Sequence, residues 1–253
     1  MNQTTHEQLL QAQFSPQANA YLHSEVHAKG DDLQLVRQLV GEQPQARVLD
    51  MGCGGGHVSF QLAEQVKEIV AFDLSNAMLQ VVRTEAQKRC LTNLQTCQGN
   101  VASLPFADDH FDVVITRYSA HHWTQWSTAL SEMRRVLKPS GQVMIIDVIS
   151  SDEPLLDSWL QTIETIRDPS HVRDFTLSQW LQALTQQGFK LQSCQQFPLF
   201  LEFQSWIERM QPPAEHVATI RSLIQKAPNS VRDFYEINAK DSFTLQSALI
   251  VAS

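Results

Sequence analysis

Four glycines between an apolar strand pattern and a helix pattern constrain the fold of this chain more than any other feature. Residues 47–51 predict a short buried strand, the glycines follow within residues 52–56, and apolar residues recur at helical spacing from His57 onward. A strand, a glycine loop and a helix in this order mark the place where open α/β sheets bind ligands. Glycine suits such a loop because a Cβ would keep a ligand away from the backbone, and because tight turns use positive φ angles.

The rest of the chain continues the alternation of apolar runs and amphipathic helices. Further strands are predicted at residues 69–73, 94–98, 111–116, 142–148, 189–203 and 243–251. Helical patterns separate the first five strands, and this alternation implies a parallel sheet covered on both faces. Short helices on either side of Pro212-Pro213 separate the last two strands. We therefore predict a doubly wound, mostly parallel, seven-stranded α/β sheet with a small helical insertion at about residues 204–242.

Composition and charge argue against several classes of partner. The chain has 253 residues, a formal net charge of −8 and no run of Lys or Arg. We therefore do not expect it to bind nucleic acid, which requires clustered cations. No stretch has the apolar length of a membrane span, and the N-terminus lacks the basic-then-apolar order of a signal peptide. The four cysteines are scattered without C-x-x-C spacing, which predicts no metal site and a cytoplasmic location. The sequence leaves the oligomeric state open.

Two common phosphate-binding loops do not fit the glycine cluster. The dinucleotide fingerprint G-x-G-x-x-G needs a third glycine at position 57 if it starts at Gly52, and at position 59 if it starts at Gly54. The chain has His57 and Ser59 there. A Walker loop needs Gly-Lys followed by Ser or Thr, which is absent. A nicotinamide-dependent oxidoreductase is therefore disfavoured.

The remaining pattern, Asp50-x-Gly-x-Gly-x-Gly56, resembles motif I of the class I S-adenosylmethionine-dependent methyltransferases, whose fold is Rossmann-like. Asp73 ends the second predicted strand and matches the acidic residue that accepts hydrogen bonds from both ribose hydroxyls in this family. Residues 99–106 resemble the family's G-D-A-x-x-L-P-F segment, with Asn100 in place of Asp. The shared pattern runs from about residue 48 to 148. It is most similar to the ubiquinone/menaquinone C-methyltransferase-like (methyltransferase type 11) group.

This resemblance implies S-adenosylmethionine as the cofactor and methyl transfer as the activity. The Met78 side chain would either offer an apolar face to the adenine ring or only pack in the hydrophobic core. The amide oxygen of Asn100 would accept from the adenine amino group, beside the backbone N–H of Val101. The cofactor-binding residues that the resemblance implies are Asp50, Gly52, Cys53, Gly54, Asp73, Leu74, Met78, Asn100, Val101 and Arg117.

The expected organisation is a single methyltransferase domain over residues 1–253. It divides into N-terminal helices (1–44), a cofactor-binding core (45–150) and an acceptor-side segment (151–253). A glycine loop only binds its ligand, so a protein that binds the cofactor without transferring a methyl group is the alternative.

The acceptor is expected to be a small molecule that the sequence does not identify. His121 and His122 follow the fourth strand at the sheet edge where the cofactor loop lies, and one of them could remove a proton from the acceptor near neutral pH. A structural role for the pair is the alternative. Tyr21 in the N-terminal region, and His171 and Arg173 in a later polar cluster, are the candidates for lining the acceptor pocket.

Replacing Asp73 with Ala should weaken the binding of S-adenosylmethionine and S-adenosylhomocysteine, because the ribose hydroxyls lose a charged acceptor. Such a loss costs on the order of 1.5–3 kcal/mol, or roughly ten- to a hundredfold in affinity. Titration calorimetry measures the difference. Equal affinities of wild type and variant would contradict the role assigned to Asp73.

Overall fold

A computed structural model describes residues 5–18 and 30–253 of the chain, and its strands form one seven-stranded sheet. In chain order the strands are β1 (Gln43–Met51), β2 (Val66–Asp73), β3 (Leu94–Gln98), β4 (Phe111–Arg117), β5 (Leu137–Ile149), β6 (Leu191–Leu201) and β7 (Phe243–Ala252). Their order across the sheet is β3-β2-β1-β4-β5-β7-β6. Strands β1 to β5 pair in parallel, whereas β7 runs antiparallel to both β5 and β6. The predicted doubly wound, mostly parallel sheet is confirmed.

Helices connect the strands and cover both faces of the sheet. They are α1 (His6–Phe14), α2 (Asp31–Val40), α3 (His57–Leu62), α4 (Asn76–Lys88), α5 (Trp126–Val136), α6 (Pro154–Arg167), α7 (Leu177–Gln186), α8 (Phe203–Met210), α9 (Ala214–Gln225) and α10 (Asn229–Phe234). The last three lie between β6 and β7. Within residues 5–18 and 30–253, no helix is both long and apolar enough to cross a membrane.

The strand order reverses between β1 and β4, and this reversal positions the site. From β1 the chain moves to β2 and β3 on one side, and it then returns to β4 and β5 on the other. The two central strands pair directly, with Val48 opposite Val113 and Asp50 opposite Ile115. Connections that leave in opposite directions open a crevice at the carboxyl ends of these strands.

Alternate residues of β1 serve the two faces of the sheet, as the two-residue period of a strand requires. Leu49 and Met51 belong to an apolar cluster that includes residues of α5 and α7. Val48 belongs to the cluster on the other face, with residues of α2 and α3. All three side chains are fully buried. Burial on both faces explains why this strand is continuously apolar in sequence.

Helix α6 is the main element that the sequence analysis did not predict. Pro154 occupies its first turn, and Leu156, Trp159, Leu160 and Ile163 are buried along one face. This spacing is typical of an amphipathic helix. Its apolar face packs into a third cluster, with residues of α8, α9, α10 and β7. The three inserted helices therefore share a core with α6 and with the end of the sheet.

Several predicted boundaries differ from the structure. Strand β1 begins at Gln43 and β2 begins at Val66, ahead of the predicted starts at residues 47 and 69. Strand β5 begins at Leu137, ahead of Pro139, although the strand was predicted from residue 142. The pairing of β5 with β4 shifts register between Phe111 and Val113, so the sheet accommodates the proline at an irregular point.

Replacing Ile163 with Ala should destabilise the protein, because this side chain is fully buried between α6 and the inserted helices. The expected loss is about 2–5 kcal/mol in the free energy of unfolding. Ser158 is exposed on the same helix, so Ser158→Ala is the matched control and should change stability by less than about 0.5 kcal/mol. Urea unfolding measures both variants, and equal stabilities would contradict this packing.

Candidate active site

A large cavity opens at the carboxyl ends of β1, β2 and β4. Its wall includes every residue implied as cofactor-binding and both candidate catalytic histidines: Asp50, Gly52, Cys53, Gly54, Asp73, Leu74, Met78, Asn100, Val101, Arg117, His121 and His122. These residues come from four separate segments of the chain. The fold brings them together because parallel strands end at the same edge of the sheet.

The glycine loop is shaped by its backbone and by Asp50. Gly52 has a φ of +75°, and a Cβ there would lie 2.0 Å from Ser119 Oγ. Gly54 has a φ of +49°, and a Cβ there would meet no atom within 4 Å. Its backbone therefore borders open space. Asp50 Oδ2 accepts from the backbone N of Ser59 at 3.1 Å and from Ser59 Oγ at 2.7 Å, which ties the loop to α3. Burial raises the pKa of Asp50 to about 6.

Asp73 joins the glycine loop to the start of α4. Its Oδ2 accepts from the backbone N of Gly54, and its Oδ1 accepts from the backbone N of Ser75, each at 2.8 Å. Removal from solvent raises the pKa of this carboxyl group. Each carboxylate oxygen has two acceptor positions. Asp73 therefore holds the loop while its carboxylate borders the cavity.

The segment after β3 forms the next part of the wall. Asn100 Oδ1 accepts from the backbone N of Ala102 at 2.8 Å, and Asn100 Nδ2 donates to Glu7 Oε1 in α1. Met78 borders the cavity although only 2% of its surface is exposed. It is therefore both a wall residue and a packed side chain of α4.

Arg117 lies on the wall, but its guanidinium is engaged by α2. Nε and Nη2 donate to the two carboxylate oxygens of Asp32 at 2.6 and 3.1 Å. Both side chains are almost completely buried, at 5% and 7% exposed. This ion pair fixes α2 against the end of β4.

His121 is held by a buried carboxylate at the end of β5. Asp147 Oδ2 accepts from the backbone N atoms of Ala120 and His121, at 2.9 and 3.3 Å. Asp147 Oδ1 accepts from the backbone N of Val148 at 2.9 Å and lies 2.7 Å from His121 Nδ1. Burial opposes protonation of His121, but the charge and the hydrogen bond of Asp147 outweigh it and raise the pKa of His121 to about 9. At neutral pH this ring is an imidazolium.

His122 has the opposite protonation state. Its Nδ1 lies 3.1 Å from the carbonyl oxygen of Ser170, which only accepts hydrogen bonds, so Nδ1 carries the hydrogen. Burial lowers the pKa of His122 well below its ordinary value, and the charge of His121 lowers it further. The two ring centroids are 4.2 Å apart. At neutral pH His122 is therefore a neutral imidazole with the lone pair on Nε2.

His121, Asp147 and Asp174 form a tight cluster, with one polar atom of each within 4.8 Å of the others. Two carboxylates and an imidazole are common metal ligands. However, the four hydrogen bonds to Asp147 use the acceptor positions of both its oxygens. Burial raises the pKa of Asp174 well above its ordinary value, which favours its neutral form. His121 and Asp147 therefore form a hydrogen-bonded ion pair, and Asp174 lies beside them.

Two predicted acceptor-pocket residues lie beside the cavity and do not form its wall. His171 is buried with Nε2 3.0 Å from Gln161 Oε1, and Arg173 Nη2 donates to Asp157 Oδ2 at 2.7 Å. Both partners belong to α6, which draws the two side chains away from the cavity. Tyr21 lies outside the described residues. From the same polar cluster, Arg167 and Asp168 do line the cavity, together with Glu164.

The far wall is apolar and contains residues that no motif identified. They are Val148, Leu199, Leu201, Trp206, Met210 and Leu245, from the ends of β5, β6 and β7 and from α8. Arg167 lies with its guanidinium 4.6 Å from the Trp206 ring centroid and donates to Glu164 Oε2 at 2.7 Å. Helix α1 forms a further side of the cavity, through His6, Glu7, Leu10 and Phe14. The cavity thus has a glycine-loop end, a histidine end and an apolar wall.

Comparison with known proteins agrees with this arrangement. A family described as a methyltransferase domain matches residues 42–198. The chain is 41% identical to the uncharacterized protein YafE of Escherichia coli over 79% of this chain and 97% of YafE. It is 34% identical to the uncharacterized methyltransferase YcgJ of Bacillus subtilis over 94% and 96% of the two chains. The crystal structure of YcgJ superimposes with a TM-score of 0.84 over 87% of this chain and 96% of YcgJ.

A shorter similarity connects the chain with quinone biosynthesis enzymes. The ubiquinone/menaquinone biosynthesis C-methyltransferase UbiE of Shewanella oneidensis is 32% identical over 44% of this chain and 45% of UbiE. The family match covers more than half of the chain, and the YcgJ match covers nearly all of it. The chain therefore belongs to the class I S-adenosylmethionine-dependent methyltransferases and resembles the UbiE-like group within them.

Proposed function

We propose that this enzyme methylates a small-molecule acceptor whose attacking atom loses a proton, and that His122 accepts that proton. The observation that carries the proposal is the pair of adjacent histidines on the wall of the cavity, of which His121 contacts the Asp147 carboxylate and His122 contacts the Ser170 carbonyl. The cavity is bordered by α1, α8 and the strand ends, which favours an acceptor small enough to fit inside it. The similarity to UbiE spans less than half of this chain and does not identify the acceptor.

The residues at the glycine-loop end fit the cofactor. Gly54 leaves open space beside its backbone, and Asp73 places a carboxylate, which only accepts hydrogen bonds, on the cavity wall where the ribose hydroxyls would bind. Leu74 and Met78 give an apolar surface next to them. When bound, S-adenosylmethionine supplies a methyl group made electrophilic by its sulfonium. The protein's contribution is to hold the acceptor in line and to exclude water.

His122 is suited to the role of base because of its resting state. A base must be unprotonated before the reaction, and burial keeps the His122 imidazole neutral at neutral pH. Its Nδ1–H is fixed on the Ser170 carbonyl, so Nε2 is the atom that would take the proton. The edge of the Phe14 ring packs against the His122 ring with centroids 5.0 Å apart, which restricts its orientation.

His121 is suited to stabilising negative charge on the acceptor. Its imidazolium is oriented by Asp147, and Nε2–H remains as a donor. An acceptor that loses a proton to His122 gains negative charge, and a fixed cation next to it lowers the energy of that state. The two histidines would therefore act on the same acceptor, one as base and the other as cation.

The rate of methyl transfer should depend on pH in a bell-shaped manner. His122 must be neutral and His121 must be protonated, so activity falls below the lowered pKa of His122 and falls again as pH rises through about 9. The initial rate of S-adenosylhomocysteine formation with a metabolite extract as acceptor measures the profile. In Asp147→Asn the burial of His121 is no longer offset, so the alkaline limb should move to lower pH. If His121 were the base, activity would instead rise through pH 9.

Replacing His122 with Gln should lower the single-turnover rate by about 10²- to 10⁴-fold, the typical contribution of a positioned base. The affinity for S-adenosylhomocysteine and the melting temperature should stay close to those of wild type. His110 lies outside the cavity wall, so His110→Gln is the matched control and should retain the wild-type rate. Wild-type turnover by His122→Gln would mean that alignment alone drives the reaction. A parallel loss of stability and activity would mean a structural role.

A further inference from the structure

Helix α1 lies across the cavity and is held mainly by polar contacts. A Thr5 capping box begins the helix, and none of its residues is buried. Its side chains contact both halves of the site. Gln11 contacts the Leu74 carbonyl, and Glu7 contacts Asn100. His6 contacts the Ser170 carbonyl, and Gln13 contacts the Met210 carbonyl. The first two contacts are on the cofactor side, and the other two are on the acceptor side.

The contact between Glu7 and Asn100 occurs where the cofactor's base would bind. Asn100, Val101 and Ala102 line the cavity next to Leu74 and Met78. One acceptor position of Asn100 Oδ1 is taken by the backbone N of Ala102, and Nδ2 donates to Glu7 Oε1. The amide of Asn100 is therefore largely occupied by the protein itself.

Glu7 offers a charged acceptor beside the Asn100 amide. Among the described residues, its Oε2 has no hydrogen-bond partner, and the carboxylate as a whole only accepts hydrogen bonds. The adenine amino group carries two N–H donors and needs such an acceptor. We propose that Glu7 binds the adenine amino group of S-adenosylmethionine, so that α1 is part of the cofactor site and distinguishes adenine from other purines.

The proposal predicts that the protein binds a ligand with an adenine ring more tightly than the same ligand with a hypoxanthine ring. In S-inosylhomocysteine a carbonyl oxygen replaces the adenine amino group, and this oxygen would face the Glu7 carboxylate. Two acceptors without a hydrogen between them repel each other, so the wild-type protein should bind S-adenosylhomocysteine more tightly. In Glu7→Gln the amide can donate to the inosine carbonyl, and the preference should diminish.

The experiment is titration calorimetry of both ligands with wild type, Glu7→Gln and Gln13→Ala. The ratio of the two Kd values should fall by roughly tenfold in Glu7→Gln, which is the size expected for one hydrogen bond to a charged group. Gln13→Ala is the matched control, since it removes an α1 contact on the acceptor side. It should leave the ratio unchanged even if it weakens both affinities.

Two outcomes would overturn the proposal. An unchanged Kd ratio in Glu7→Gln would show that Glu7 does not contact the base. An equal fall in the ratio for Gln13→Ala would assign the effect to the docking of α1 and not to Glu7. The measurement involves no methyl transfer, so it does not depend on the acceptor or on the roles proposed for the histidines.

Discussion

Aspartates at the ends of three parallel strands hold the loops that form the cavity. Asp50 lies next to the last residue of β1 and binds the start of α3, Asp73 ends β2 and binds the glycine loop, and Asp147 near the end of β5 binds the turn after β4. Loops at this edge leave the sheet and lose their backbone partners, so their N–H groups need other acceptors. A carboxylate can accept several of them at once. The site depends on these three side chains before any ligand is bound.

The same carboxylates determine the chemistry of their neighbours. Asp147 organises the backbone of the turn and also makes His121 cationic, and that charge contributes to keeping His122 neutral. Two identical side chains at consecutive positions thereby acquire different properties. The roles proposed for the two histidines, base and fixed cation, rest on this difference.

The end of the cavity proposed for the cofactor, at the glycine loop, and the end proposed for the acceptor, at the histidines and the apolar wall, have different structural origins. The cofactor end is built from β1, β2 and the loops that follow them, all within the first half of the chain. The acceptor end combines α6, α8 and the ends of β5 to β7, which share one apolar cluster. Helix α1 contacts both ends. The glycine loop follows β1 and α8 follows β6, so the two ends of the cavity are built from separate parts of the sequence.

The sequence alone determined the sheet and the glycine loop, because strand period, helix spacing and the backbone freedom of glycine are local properties. The spacing of α6 is also present in the sequence, but it lies beyond the regular alternation of strands and helices that predicted the other elements. Only the tertiary structure decided which wall residues face the cavity: Arg173 turns to Asp157 in α6, whereas Arg167 faces the site. It also decided the protonation of His121, because the responsible carboxylate is 26 residues away in sequence and 2.7 Å away in space. Charge interactions depend on distance and burial, and both are set by the folded chain.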